Sequence, residues 1–208
     1  MTDVSKIASD IAFTTSVKAI QSRKESRRSY ASMENGDGWE TKITADLAAF
    51  IAHQTSIFMA TANKEGQPYI QHRGGPPGFL RVLDKNCIAF ADFIGNRQYI
   101  SMGNLAENPK AHLFLIDYRS RQRVKLWGTA HVVEDDPELV KRLMPPNYKA
   151  KGEQAIMFHV LTWDANCPQH IPQRFDEADV IAAIAVRDQR IFELEAQIYQ
   201  LTHETNHQ

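Results

Sequence analysis

The sequence predicts a mainly β, α+β fold: an antiparallel barrel or sandwich with short peripheral helices and one long helix at its end. Three observations predict it. At least six short segments have strand character and are joined by tight turns. The connections are too short for the helical crossovers that parallel strands need. Only the final segment carries a sustained heptad spacing.

Residues 1–43 read as an N-terminal arm, with a short helix in "SVKAIQSRKESRRSY" and a loop at "ENGDGWE". Arg23, Lys24, Arg27 and Arg28 form either a solvated helix face or an arm toward a partner subunit. "TADLAAFIAHQ" is a helix capped by Thr44, with Leu47, Phe50 and Ile51 at helical spacing. "SIFMATA" and "PYIQHR" are strands around the turn "NKEGQ"; "LRVLD" and "CIAFADF" form a second hairpin around "DKN". "GNRQYISMGNLAENP" (95–109) reads as a glycine turn running into a short helix with a proline stop. "AHLFLID" and "RVKLWGTAHVVE" are strands, "DPELVKRLMPP" a short helix with proline at its start, and "AIMFHVLTWDAN" a last strand. In 176–202, Val180, Ile184, Arg187, Ile191, Leu194, Ile198 and Leu201 follow a 4-3 spacing. That seam packs either on its own barrel or across a dimer.

Composition limits the functional classes. The chain has 208 residues, 43% of them apolar, and a formal charge of −1. A chain so balanced is not built to coat nucleic acid. No apolar run reaches the roughly 18 residues of a membrane span. "MTDVSKIASD" lacks the layout of a signal peptide, so Cys87 and Cys167 are expected as reduced thiols in a cytoplasmic protein.

Metal ligation and nucleophilic catalysis find little support. Of eight histidines only His203 and His207 have i, i+4 spacing, and no third ligand is near them in sequence. Cys167 and His170 in "NCPQH" are a weak Cys–His pair. There is no nucleophile elbow, no Walker loop and no GxGxxG after a strand.

Anion-binding pieces remain. "HRGG" offers Arg73 and glycine backbone open to close approach. "GNRQYIS" puts Asn96, Arg97 and Gln98 at a helix start, where free N–H groups and the helix dipole favour anions. Arg97 and Ser101 are i, i+4. Arg119, Arg121, Arg123 and Lys125 alternate, which on a strand points them to one side. The expectation is a phosphate gathered between Arg73, Arg97 and one member of that row.

"SIFMATANKEGQPYIQHRGG", "GFLRVLD", "IAFADFIGNRQYISMGNLAENPKAHLFLID" and "VKLWGTAHVV" resemble the pyridoxamine 5'-phosphate oxidase-like flavoproteins, whose fold is an FMN-binding split β-barrel. "GGPPGF" and "NCPQHIPQRF" resemble a subgroup apart from the vitamin-processing oxidase. The resemblance covers about residues 44–134 and implies FMN at the interface of a homodimer and a small-molecule substrate; the barrel itself is expected over 44–175 and a C-terminal helix over 176–208. It places His72, Arg73 and Gly74 near a phosphate-facing strand end. It puts Asp92 on a strand that lines the flavin and Arg97 in the phosphate turn. Gln98 stands where the oxidase has a lysine and Arg123 where it has a glutamine. Trp163, His170 and Arg174 are a candidate lid over the flavin, the alternative being a rigid connector fixed by Pro168 and Pro172. The expected activity is a flavin-dependent oxidoreductase. The alternatives are a flavin carrier, a haem binder through His159 or His170, a deazaflavin reductase, or a regulatory dimer without ligand.

Overall fold

The computed structural model describes residues 7–36, 38–166 and 168–204. It divides into two units, Met1–Asp117 with Gln122–Gln169, and Tyr118–Arg121 with His170–Gln208.

In the first unit a 3-10 turn (Ala8–Ile11) precedes α1 (Thr15–Arg23), α2 (Arg27–Asn35) and α3 (Ala45–Ala52). The sheet is built from β1 (Ser56–Ala62), β2 (Pro68–Gly74), β3 (Arg81–Val82), β4 (Cys87–Phe93), β5 (Lys110–Asp117), β6 (Gln122–Val133) and β7 (Gly152–Asn166), with α4 (Ile100–Glu107) and α5 (Pro137–Leu143) between strands. All pairings are antiparallel, in the order β2-β1-β5-β6-β7-β4-β3. This is the mainly β split barrel expected from the sequence.

Alternation explains the strands. In β1 and β5, Ile57, Met59, Leu113 and Leu115 are wholly buried while their neighbours are not. They join Leu126, Ile156 and Phe158, with Leu47 and Ile51 of α3, in one core. Each such side chain contributes roughly 1.5–3 kcal/mol by leaving water. Thr44 caps α3 by accepting from the Leu47 N–H at 3.2 Å. A smaller cluster lies under α5, where Leu139, Val140 and Leu143 meet Ala89, Ala91 and Ala155.

The N-terminal region differs from its expectation. It holds two helices rather than one. Arg27 is not simply solvated: it bonds Glu34, whose carboxylate is buried and held below its usual range chiefly by that bond. Arg23, Lys24 and Arg28 are exposed. Phe13 packs on Tyr30 and on Trp39, and Trp39 stacks on Trp127 of β6 at 4.8 Å. The chain thereby covers part of the sheet's second face, where His112 meets the edge of Trp127.

"HRGGPPGF" is a crossing from the edge strand into the core. The Gly75 N–H donates to the Thr55 carbonyl at 3.0 Å and that of Gly78 to Ala52 at 2.9 Å. Phe79 is 1% exposed and lies so near Gly75 that a Cβ there would come within 2.7 Å of it. The residue type at Gly75 is therefore set by the fold.

In the second unit, α6 (Glu177–Glu204) follows the segment from His170. Arg174 lies over the Tyr118 ring at 4.4 Å, and Arg119 pairs with Asp179 at 2.8 Å. Among the described residues no helix is long and apolar enough to cross a membrane.

Two sets of outcomes are expected, the first from two glycines. A Cβ at Gly128, where β6 bulges against β7, would fall 2.1 Å from the His159 carbonyl oxygen and 2.7 Å from the Phe158 ring. Gly128→Ala should therefore cost about 3 kcal/mol or more in urea unfolding, because rigid backbone must shift. Gly103→Ala, in open space within α4, should stabilise by about 0.5–1 kcal/mol. The second concerns His112, held down to about 4 first by burial and then by the Lys125 charge. The unfolded chain takes up this proton near pH 6.5. The imidazole's contribution is whole above about 6.5 and is lost as pH falls toward 4, by about 1–2 kcal/mol given its partial exposure. His112→Leu should flatten the stability profile in that window relative to the parent.

Candidate functional site

Most of the predicted anion-binding residues meet in one shallow cleft, open to solvent, with about 40 Å3 of enclosed space. Its floor comes from β2. That strand ends the sheet and turns Gln71 and Arg73 to the same side as Ile57 and Met59 of β1, their partners in the ladder. Asp92 of β4, a strand near the sheet's opposite end, also lines the cleft.

Arg73 and Asp92 form a close ion pair, 15% and 9% exposed at their side chains. Gln154 of β7 donates to the other Asp92 oxygen at 2.9 Å. These bonds tie the two ends of the sheet together. Arg73 Nε is buried with no acceptor, so its donors are not all satisfied.

The upper rim is the loop 94–99. The sequence reading placed Asn96, Arg97 and Gln98 in the first helical turn; the structure begins α4 at Ile100. The reason is local backbone. Arg97 (φ 59°) and Tyr99 (φ 54°) adopt the left-handed conformation, and the Asn96 side chain accepts from the Gln98 N–H at 3.3 Å. A right-handed helix cannot include those residues. Arg97 and Ser101 thus do not share a helical face, although both line the cleft.

Tyr99, the residue before α4, gives no side-chain cap, which leaves first-turn N–H groups free for an acceptor. Two bonds fix the helix start against the sheet. Ser101 Oγ donates to Gln71 Oε1 at 2.9 Å, and Asn104 Nδ2 to Thr61 Oγ1 at 3.0 Å.

Charge is nearly balanced. Arg73 and Arg97 are opposed by Asp92 and Glu153, and Glu153 accepts from the Tyr99 hydroxyl at 2.9 Å. That bond is the main cause raising the Tyr99 phenol. Arg97 makes no ion pair among the described residues, so it is the cation left for an incoming anion.

Several sequence candidates lie elsewhere. His72 points to the opposite face of β2 and bonds Ser56 Oγ at 2.7 Å. Gly74 packs against that His72 ring and the Thr55 carbonyl. The expected basic row does not reach the cleft. Arg119 and Arg121 sit in the turn before β6 in the second unit, while Arg123 and Lys125 project from β6 on the face away from Val124 and Leu126. Lys125 is paired with Asp164 at 3.0 Å. Trp163 donates from its ring nitrogen to the Lys42 carbonyl at 2.9 Å and does not line the cleft. His170 belongs to the second unit, with φ 65°. His159 is exposed on β7. Cys167 and His207 lie outside the described residues, so their pairings with His170 and His203 are not placed. Cys87 is a half-buried free thiol, pushed up first by burial and then by Asp84.

Gln71, Tyr99, Glu153 and Gln154 were missed. Gln71 was within reach of strand periodicity, being two residues from Arg73 on the same face. Glu153 and Gln154 precede Ala155, where the apolar strand pattern begins, although β7 itself starts at Gly152.

The donor set fits a phosphate monoester. It combines one free arginine, a helix start without a cap and polar side chains held from behind. Asp92 limits the fit at Arg73, because an anion there would share a guanidinium already engaged.

The pyridoxamine 5'-phosphate oxidase family model matches residues 43–169. Three solved structures are similar to it at low identity. HupZ of Group A Streptococcus is 17% identical, with 64% of this chain and 99% of that one covered and a TM-score of 0.49. A putative pyridoxamine 5'-phosphate oxidase from Lactobacillus delbrueckii is 20% identical, covering 60% and 95%, with a TM-score of 0.47. An FMN-binding protein from Syntrophomonas wolfei is 12% identical, covering 70% and 97%, with a TM-score of 0.47. No curated protein matches the chain.

One expectation follows from the ion pair. Arg73→Met should cost about 3 kcal/mol or more, because Asp92 would be left buried without its partner. Arg73→Met combined with Asp92→Leu should recover most of that loss. Urea unfolding of the parent and both variants checks it; equal losses in the single and double variants would contradict the pairing.

Proposed function

The chain belongs to the pyridoxamine 5'-phosphate oxidase family, and from that premise we propose that it is an FMN-binding flavoprotein, a flavin-dependent oxidoreductase acting on a small molecule. The observation that carries the reading is the cleft itself. Within the family-matched span, Arg97, the uncapped start of α4 and the Gln71–Ser101 pair converge on one solvent-open recess.

In this reading the phosphate sits on Arg97 and the first-turn N–H groups of α4. The left-handed backbone at Arg97 holds its side chain at the rim instead of on the helix surface. Asn96 stabilises that turn. Arg73 is held by Asp92 and Gln154, so it gives the phosphate a distant, partly neutralised charge. FMN, when bound, supplies hydride or single-electron transfer, and the protein supplies binding and orientation. Tyr99 and Glu153 bring a hydroxyl and a carboxylate to the same rim, where they can accept or donate hydrogen bonds to ring edges.

The reading extends to a homodimer with the cofactor at its interface and to a cytoplasmic setting. Ile70 supports a subunit contact, since it is 62% exposed on the outer face of the edge strand. Vitamin oxidation is not assigned, because Trp163 is not among the cleft's residues.

Purified protein should take up FMN with a yellow spectrum and quenched flavin fluorescence. Arg97→Ala should weaken that binding by about 1.5–3 kcal/mol, the scale of a charge-assisted hydrogen bond, with unfolding midpoints near those of the parent. An unchanged FMN affinity in this variant would contradict the phosphate assignment.

A further inference from the structure

The helix α6 presents an apolar stripe that nothing in its own unit covers. Every residue from Val180 to Thr202 is exposed, including Ile191 at 52%, Ile198 at 60% and Leu201 at 66%. Its 28 residues extend for about 42 Å. A helix in water draws most of its stability from packing such a face, and its own unit supplies no partner for it.

The pattern identifies the occupant. Ile184, Ile191 and Ile198 fall at one heptad position, and Val180, Leu194 and Leu201 at the other, with Arg187 in the second set. Isoleucine at the first core position and leucine at the second favour two parallel strands. Glu177–Glu204 carries six carboxylates against two arginines, which disfavours an anionic lipid surface.

Charge then selects the orientation. In a parallel, in-register pair Arg190 of one copy faces Glu195 of the other, one heptad flank to the next. Arg187, inside the seam, lies beside Asp188 of the other copy. The antiparallel alignment of greatest overlap instead sets Asp188 against Asp188 and Arg190 against Arg190. Like charges so placed are unfavourable. We propose that α6 forms a parallel, in-register two-stranded coiled coil with a second copy of this chain. The association is independent of any cofactor in the barrel. Arg187 gives it register at a cost in strength, as a lone polar residue does in a coiled-coil core.

Directed crosslinking in the full-length protein tests this, with Cys87 and Cys167 changed to Ser. In the parallel pair the two copies of residue 194 have Cα atoms about 6 Å apart, within disulfide reach. Leu194→Cys should give a covalent dimer on mild oxidation in at least tenfold greater yield than Ala196→Cys, which lies on the far face. Adding Glu195→Arg should cut the yield severalfold, and Arg190→Glu on top of it should restore it. If the serine background does not fold, the same Leu194→Cys and Ala196→Cys comparison is made with both native cysteines present. Equal crosslinking at 194 and 196, none at either, or crosslinking of residue 194 to Ile184→Cys in preference to itself would overturn the proposal.

Discussion

The Arg73–Asp92 ion pair is the constraint on which the barrel depends. An open antiparallel sheet has two unsatisfied edges. Here the chain brings its first edge strand back toward the fourth strand and fastens the approach with charge. The partners come from β2 and β4, which the strand order places far apart. A buried ion pair is not a strong source of net stability, since desolvation offsets much of the attraction. Its value is specificity. Only one closure satisfies Asp92 from both sides, with Arg73 on one oxygen and Gln154 on the other.

The cleft follows from that closure. Where two strand ends are joined by side chains rather than backbone, the seam leaves space, and α4 begins over it. Ser101 and Asn104 hold the helix start by bonds to Gln71 of β2 and Thr61 of β1, so the N–H groups at its tip are aimed by the seam strand β2 and its neighbour. The barrel's core and its recess are therefore not separate achievements of the sequence. Gln71 faces the recess because Met59, opposite it in the ladder, faces the core.

Much of this was legible in the sequence, and the reasons are physical. "SIFMATA" matched β1 at both ends because one face is fully buried and the alternation is clean. The cap at Thr44 announced α3. What could not be read was chemistry set by backbone conformation or by distant pairing. Nothing in "GNRQY" requires two non-glycine residues in the left-handed region, yet that conformation moves Arg97 from a helix face to a rim. Nothing local in "RSRQRVK" reveals that Arg119 and Arg121 would occupy a turn, or that Lys125 would meet Asp164. The glycines of "HRGG" suggested ligand approach, but the atoms nearest Gly75 belong to Phe79, four residues on. Asp92 was picked out by resemblance alone; a strand carboxylate only 7% exposed requires a cation, and no local rule names Arg73 as that cation.

The same pair determines how a ligand and the fold interact. An anion that bound mainly through Arg73 would compete with Asp92, and strong binding would loosen the closure that shapes the cleft. An anion held by Arg97 and the start of α4 makes no such demand, because neither group takes part in joining β2 to β4. The balanced charge of the recess thus separates two tasks that a more basic site would merge. On the proposed reading, Arg73 maintains the geometry and Arg97 meets the ligand. By this logic the barrel needs no cofactor to fold. A phosphate adds stability by binding the native state, in proportion to its concentration over its dissociation constant, and does not repair a defect in the fold.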